Sequence, residues 1–262
     1  MATFTHDGLT LAYDDITPQG EVVGTAVLVH GFATNRDENW KRLGWYAAFE
    51  RKGWRAVALD LRGHGQSDKP HAASAYARDA MVGDVLALMD HLRLGRVDLM
   101  GYSMGSHLSL ALALAHPDRV ANLLLGGVGA RMVTGEDPFT GKMTMAEALR
   151  LEDPVGVTEP TLKGFRQFAD NQGEDRLALA ACSEGRGERT DPARLASLSM
   201  PVLVVAGSRD EIAGNPQVLA DAIPGAVCVS LPACDHFTAI PHALYKSAVF
   251  DFLEGWVDLP FE

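Results

Sequence analysis

Apolar residues along the chain fall into short continuous runs that alternate with longer amphipathic stretches. Six runs have the length and the aliphatic content of strands covered by helices on both faces, as in a parallel sheet. They lie at 25–30, 55–60, 96–100, 120–125, 201–206 and 226–231. Two further β-like runs, 3–6 and 9–16, flank a turn at Asp7-Gly8 and predict a hairpin. The pattern therefore predicts a mostly parallel, eight-stranded sheet.

Between these runs, apolar residues recur every three or four positions, which is the spacing of a helix with one buried face. The clearest stripe consists of Met81, Val82, Val85, Leu86, Met89 and Leu92. Further helices are predicted at 106–116, 217–222 and 243–256. Strands that alternate with helices predict an α/β fold with helices on both faces of the sheet.

The alternation is interrupted between about Arg131 and Thr190, where no buried strand is predicted. Glycine and proline punctuate this stretch, and two helices are predicted within it, at 161–171 and 174–184. We interpret residues 131–190 as a small helical cap inserted into a core formed by 1–130 and 191–262. Because ligands bind at the carboxyl edge of such sheets, we expect the cap to lie over that edge.

Composition and charge narrow the class of protein. The 262 residues are 47% hydrophobic and 22% charged, and the net charge of −11 with scattered Lys and Arg argues against nucleic-acid binding. No apolar stretch reaches the ~20 residues of a membrane span, and residues 1–15 lack the features of a secretory signal. Cys182, Cys228 and Cys234 form no C-x-x-C pair, so we expect a cytoplasmic protein without disulfides or structural zinc. None of these features predicts an oligomeric state.

The most specific motif is Gly101-Tyr102-Ser103-Met104-Gly105, which lies between a predicted strand and a predicted helix. A G-x-S-x-G sequence in this context is typical of a sharp turn that exposes a serine above the sheet. Small residues on either side avoid clashes, and the helix N-terminus favours negative charge beside the serine. Ser103 is therefore the predicted nucleophile; the alternative is a tight turn with an incidental serine.

A serine hydroxyl needs a base, and the base needs a carboxylate to orient it. Asp210 follows the run at 201–206 and His236 follows the run at 226–231, so both are expected at the carboxyl edge near Ser103. The order Ser, Asp, His is that of serine hydrolases built on this kind of sheet. Glu211 remains an alternative acid. Asp235 is a weaker one, because sequence neighbours rarely face each other.

With these motifs the chain resembles the α/β-hydrolase superfamily over nearly its whole length. The resemblance is carried by His30-Gly31-Phe32, the segment from Asp60 to Ser67, the turn around Ser103, the segment from Gly207 to Asp210, and Asp235-His236-Phe237. It implies that the backbone N–H groups of Phe32 and Met104 form an oxyanion hole. It also implies structural roles for Asp60 and His64.

The resemblance implies hydrolysis of a carboxylic ester of a small-molecule acyl substrate, through an acyl-enzyme and without a metal or organic cofactor. Haloalkane dehalogenases and epoxide hydrolases are disfavoured because they resemble this chain but carry aspartate where Ser103 stands. Thioesterases, lactonases, C–C bond hydrolases and perhydrolases share the same apparatus and stay open. So does a slow-turnover small-molecule receptor, since fold alone does not define function.

The inserted segment contains no tyrosine or tryptophan, and its aromatic residues are Phe139, Phe165 and Phe168. They predict an apolar rather than a charged acyl pocket, although packing within the cap explains them equally well. Tyr102 and Phe237, the neighbours of Ser103 and His236, are further candidates for the pocket wall.

Overall fold

The computed structural model describes residues 1–136, 141–185 and 190–256. In them an eight-stranded sheet has the order β1-β2-β4-β3-β5-β6-β7-β8. Its strands are β1 (Ala2–His6), β2 (Leu9–Ile16), β3 (Gly24–Val29), β4 (Trp54–Leu59), β5 (Val97–Tyr102), β6 (Val120–Gly126), β7 (Val202–Gly207) and β8 (Val227–Leu231). The β1–β2 hairpin and the β2–β4 pair are antiparallel, and the other pairs are parallel. The predicted sheet is confirmed.

Helices cover both faces of this sheet, as predicted. They are α1 (Trp45–Arg51), α2 (Arg78–His91), α3 (Met104–Ala115), α4 (Ala130–Thr134), α5 (Met145–Arg150), α6 (Pro160–Gln172), α7 (Arg176–Gly185), α8 (Pro216–Asp221) and α9 (Ala243–Leu253). None of these described helices combines the length and apolar character that crossing a membrane requires.

Two apolar clusters fill the space between the sheet and its helices. In β3, Val27 and Val29 pack with α2, α3 and α8 on one face, whereas Ala26 and Leu28 pack with α1 and α9 on the other. This alternation follows from the two-residue period of a strand. The sequence analysis did not predict α1, although Trp45 and Phe49 are four positions apart and both are buried.

The segment between β6 and β7 is helical, and it contains α6 and α7 close to the predicted positions together with α4 and α5, which were not predicted. A buried arginine, Arg166, organises it: its guanidinium donates to the carbonyls of Ala148 (2.9 Å) and Leu151 (2.6 Å) and to Asp170 (2.9 Å). Such bonds satisfy a charge that would be costly to bury alone. The division into a core and a cap at 131–190 stays a prediction.

Candidate active site

The turn around Ser103 explains the spacing of the glycines. Ser103 has a φ of 51°, a positive value that residues other than glycine rarely adopt. A Cβ on Gly101 would lie 2.4 Å from the carbonyl carbon of Gly105. A Cβ on Gly105 would lie 2.0 Å from the carbonyl oxygen of Val29. Both obstacles are backbone atoms, so only glycine lets β5, the turn and α3 approach this closely.

The three residues predicted as nucleophile, base and acid lie together at the carboxyl edge of the sheet. The Nε2 atom of His236 is 2.9 Å from the Oγ atom of Ser103, and its Nδ1 atom is 2.8 Å from Oδ2 of Asp210. A carboxylate only accepts hydrogen bonds, so Nδ1–H donates to Asp210 and Nε2 is left to accept from the serine hydroxyl. The arrangement can move a proton from Ser103 to His236.

Hydrogen bonds also distinguish Asp210 from Glu211 and Asp235, the two alternative acids. The second oxygen of Asp210, Oδ1, accepts the N–H groups of Ile212 and Ala213, which orients the carboxylate. Asp235 instead accepts from Thr238 and from the Phe237 N–H, and these hydrogen bonds lower its pKa. Of the three acidic residues considered, Asp210 makes the hydrogen bond to His236.

The loop after β3 is held from both sides at Gly31. The Gly31 N–H donates to Asn39 (3.3 Å), while the Gly31 carbonyl accepts from Nδ1 of His30 (2.7 Å). The Nε2 atom of His30 in turn accepts the Leu61 N–H at 3.0 Å. Burial lowers the pKa of His30 to about 4, so the ring is neutral at neutral pH and serves both bonds. Asn39 was not predicted, because nothing in a single sequence marks an amide in the short helical segment Asp37–Lys41 as buried.

These contacts orient the N–H group of Phe32. In a trans peptide the N–H points away from the preceding C=O, so a Gly31 carbonyl turned toward His30 turns the Phe32 N–H the other way. Met104 is the first residue of α3. A backbone N–H at this position has no partner within the helix and lies at the positive end of the helix dipole. Phe32, Met104 and Ser103 all line the same cleft.

The segment that begins at Asp60 supports this loop from behind. Asp60 is fully buried and accepts the N–H groups of Arg36 and Gln66 (both 2.8 Å) as well as the Arg36 guanidinium. His64 lies with its ring 5.1 Å from His30 and 5.9 Å from Phe32, and its Nδ1 atom contacts the Arg62 carbonyl. Asp60 thus supports the loop through hydrogen bonds, and His64 supports it by packing against His30 and Phe32.

The cleft above Ser103 has a volume of about 670 Å³ and is not purely apolar. Its apolar wall includes Leu108, Val128, Met132, Met145 and Phe165. Its polar wall includes Arg78, His107, Arg131, Glu136 and Glu184. The cleft as a whole is therefore not uncharged, whereas the expectation of an apolar acyl pocket stays a prediction. It considered only the aromatic residues of the inserted segment, whereas Arg78 and His107 come from helices of the sheet layer.

The predicted pocket residues occupy different places. Phe165 lines the cleft, 6.2 Å from the ring of Phe32. Phe168 packs 5.9 Å from Phe237, and neither is among the described residues of the cleft wall. Phe139 lies outside the described residues. Tyr102 is buried, directs its hydroxyl to the His236 carbonyl (2.6 Å) and is not among the described residues of the cleft wall, so its place in a substrate pocket stays a prediction. A strand-end ring turned toward the neighbouring loop is not readable from sequence.

Comparisons with known proteins identify the family to which this fold belongs. The alpha/beta hydrolase fold family matches residues 26–141. The chain is 32% identical over 219 residues to a 2-hydroxymuconate semialdehyde hydrolase from Pseudomonas sp. (strain CF600), with 77% of each chain covered. It is 34% identical over 237 residues to the dihydrolipoyllysine-residue acetyltransferase component of an acetoin cleaving system from Pseudomonas putida, covering 86% of this chain but only 61% of that one.

Among solved structures, a thermophilic esterase from Thermogutta terrifontis is similar with a TM-score of 0.70 and 27% identity, over 97% of both chains. The chain therefore belongs to the α/β-hydrolase superfamily. Its relatives include both an esterase and a 2-hydroxymuconate semialdehyde hydrolase.

Proposed function

We propose that the chain hydrolyses carboxylic esters through an acyl-enzyme formed on Ser103. The observation that carries the proposal is the continuous hydrogen-bonded path from Ser103 through His236 to Asp210, with both distances below 3 Å. A serine that lines a cleft and is hydrogen-bonded to an imidazole is the arrangement that activates a hydroxyl for acyl transfer. Similarity to an esterase supports the same conclusion.

In the proposed reaction, Ser103 Oγ attacks the acyl carbon while Nε2 of His236 takes its proton. Asp210 holds the imidazole in the required tautomer and stabilises the imidazolium. The alcohol leaves with the proton from His236. Water then attacks the acyl-enzyme, gives its proton to His236, and the acid is released as Ser103 regains its proton.

The N–H groups of Phe32 and Met104 would receive the oxyanion of each tetrahedral intermediate. The clamp on Gly31 supports this role, because a donor that is already oriented needs no rearrangement when charge develops. One such donor typically lowers the barrier by about 3 kcal/mol.

A second candidate is hydrolysis of a C–C bond in a ring-cleavage product. The similarity to a 2-hydroxymuconate semialdehyde hydrolase favours it, and so does a cleft that contains Arg78 and Arg131, which suits a substrate more polar than a simple ester. The same three residues would serve both reactions, so the two candidates differ in substrate and not in machinery.

The test compares turnover of 4-nitrophenyl esters, from acetate upward, with turnover of 2-hydroxymuconate semialdehyde. Replacing Ser103 with Ala should lower turnover by about 10⁴- to 10⁶-fold on whichever substrate is preferred. Ser197→Ala is the matched control and should leave the rate unchanged, because in the described part of the chain this hydroxyl donates to the Arg194 carbonyl, outside the active site. Near-normal activity of folded Ser103→Ala protein contradicts the mechanism. A wild-type protein that turns over both substrates only once indicates a receptor.

A further inference from the structure

The residue between Gly101 and Ser103 makes a contact that the sequence analysis did not foresee. Tyr102 is the last residue of β5 and is bonded covalently to Ser103. Its hydroxyl donates to the main-chain carbonyl of His236 at 2.6 Å. One side chain thus joins the strand that carries Ser103 to residues 233–240, the His236 loop.

We propose that Tyr102 is a positioning residue that holds the His236 loop at the correct distance from Ser103. This inference rests on the proposed function, since it assigns a role within the Ser103–His236–Asp210 arrangement. Tyr102 touches no substrate in this proposal; it acts through His236.

The ring of Tyr102 occupies a slot shaped for it at the end of β6. A Cβ on Gly126 would lie 2.8 Å from the ring, and one on Gly127 would lie 2.9 Å from its Cζ atom. The imidazole of His236 is also a neighbour of the ring, with ring centroids 5.6 Å apart. The close contacts with the glycines and the imidazole give the ring little freedom to turn.

The hydroxyl is a dependable donor in this environment. Burial raises the pKa of Tyr102 well above its ordinary value, so the hydroxyl keeps its proton throughout the working range of the enzyme. A tyrosine hydroxyl carries one proton to donate, and the His236 carbonyl accepts it.

A second hydrogen bond holds the His236 loop, and it joins the loop to a different part of the chain. The carbonyl of Cys234 accepts the Arg209 N–H at 2.9 Å, which joins the loop to the segment carrying Asp210. That tie sets the distance between His236 and Asp210. The hydrogen bond from Tyr102 joins the same loop to the strand that carries Ser103. The loop is therefore held separately to the segment of Ser103 and to the segment of Asp210, the two residues that contact the imidazole.

Tyr245 on α9 provides a matched control in the same cluster. Its ring lies 6.3 Å from that of Tyr102 and is also buried, but its hydroxyl has no hydrogen-bond partner in the described part of the chain. Replacing either tyrosine with phenylalanine removes one buried oxygen and keeps the ring. Only one of the two changes removes a bond to the His236 loop.

The experiment compares Tyr102→Phe with Tyr245→Phe on the substrate that the wild-type protein prefers. Tyr102→Phe should lower kcat by about 10- to 100-fold with KM within about twofold, because a small misplacement of the base slows proton transfer without weakening substrate binding. Tyr245→Phe should keep kcat within about twofold of wild type. Equal kcat values for Tyr102→Phe and wild type overturn the inference, as does a fall in kcat shared by both variants.

Amide hydrogen exchange of residues 233–240 supplies a readout that does not depend on any activity. Tyr102→Phe should exchange faster there than Tyr245→Phe, at matched Tm and with unchanged exchange in β5. Unchanged exchange in the loop contradicts the positioning role even if kcat falls. Failure of the proposed function appears separately, as activity retained in Ser103→Ala, and leaves the exchange comparison intact.

Discussion

Two regions face each other across the cleft, and they are held in different ways. At the carboxyl edge of the sheet, the turn that carries Ser103 packs directly against backbone atoms of β3, so glycine is required at position 105. In the inserted segment, side chains supply part of the support: Glu174, between α6 and α7, accepts the Gly65 N–H (2.9 Å) and the Asn35 amide (2.8 Å). The end of α7 is the exception, since Gly185 lies against the backbone of Ala73.

The difference has a consequence for tolerance to substitution. A backbone atom cannot move aside without shifting a strand, whereas a side chain can adopt another rotamer. The turn around Ser103 should therefore respond to single changes with large losses, and the exposed face of α6 and the contacts of Glu174 with smaller ones.

The sharpest contrast is the same substitution made in each region. Gly105→Ala should abolish folding or destabilise the protein by more than about 4 kcal/mol, because the new Cβ meets backbone of β3. Gly164→Ala, inside α6, meets no described atom within 4 Å and should stabilise the protein by up to about 1 kcal/mol. Urea unfolding of both variants checks the pair. Similar destabilisation by the two changes would contradict the distinction between the regions.

The pH dependence of stability tests the support behind Gly31. His30 has a folded pKa of about 4, below its ordinary value of 6.5, so the unfolded chain binds the proton more readily. The neutral His30 therefore contributes to the free energy of unfolding. This contribution is fully present above pH 6.5 and is lost as the pH falls to about 4, a change of up to about 3 kcal/mol. Burial raises the pKa of Asp60 and Glu174, which acts in the opposite direction.

Comparison of variants isolates the histidine from these carboxylates. His30→Gln should lower stability at neutral pH and flatten its decline between pH 6.5 and 4, while the exposed His116→Gln should keep the wild-type slope. Urea unfolding across this range is the measurement. A His30→Gln slope as steep as that of wild type would rule out a buried neutral imidazole.

The smallest expected effects lie in the inserted segment. Glu174→Gln removes one of two acceptor oxygens used by Gly65 and Asn35 and should cost about 1–3 kcal/mol, with faster hydrogen exchange in α7. Arg150→Gln removes an exposed ion pair with Glu184 and should leave the free energy of unfolding close to that of wild type, because solvent screens such pairs. Equal exchange rates in α7 for the two variants would show that Glu174 does not anchor this segment.

Much of the sheet edge was predictable because its chemistry restricts the residues. The glycines around Ser103 are forced by backbone contacts, and the order of Ser103, Asp210 and His236 follows from three loops at one edge. Buried strands are also readable, since both faces must be apolar. These signals are local, so one sequence contains them.

The contacts between distant elements were decided only by the tertiary structure. The bond from Tyr102 to His236, the clamp of Asn39 and His30 on Gly31, and the charged wall of the cleft depend on how rings and loops meet after folding. A tyrosine, an asparagine or an arginine is tolerated at many surface positions, and its partner leaves no mark nearby in the chain. The sequence by itself determined the class of fold and the residues at its reactive edge; packing decided what supports them and what lines the cleft.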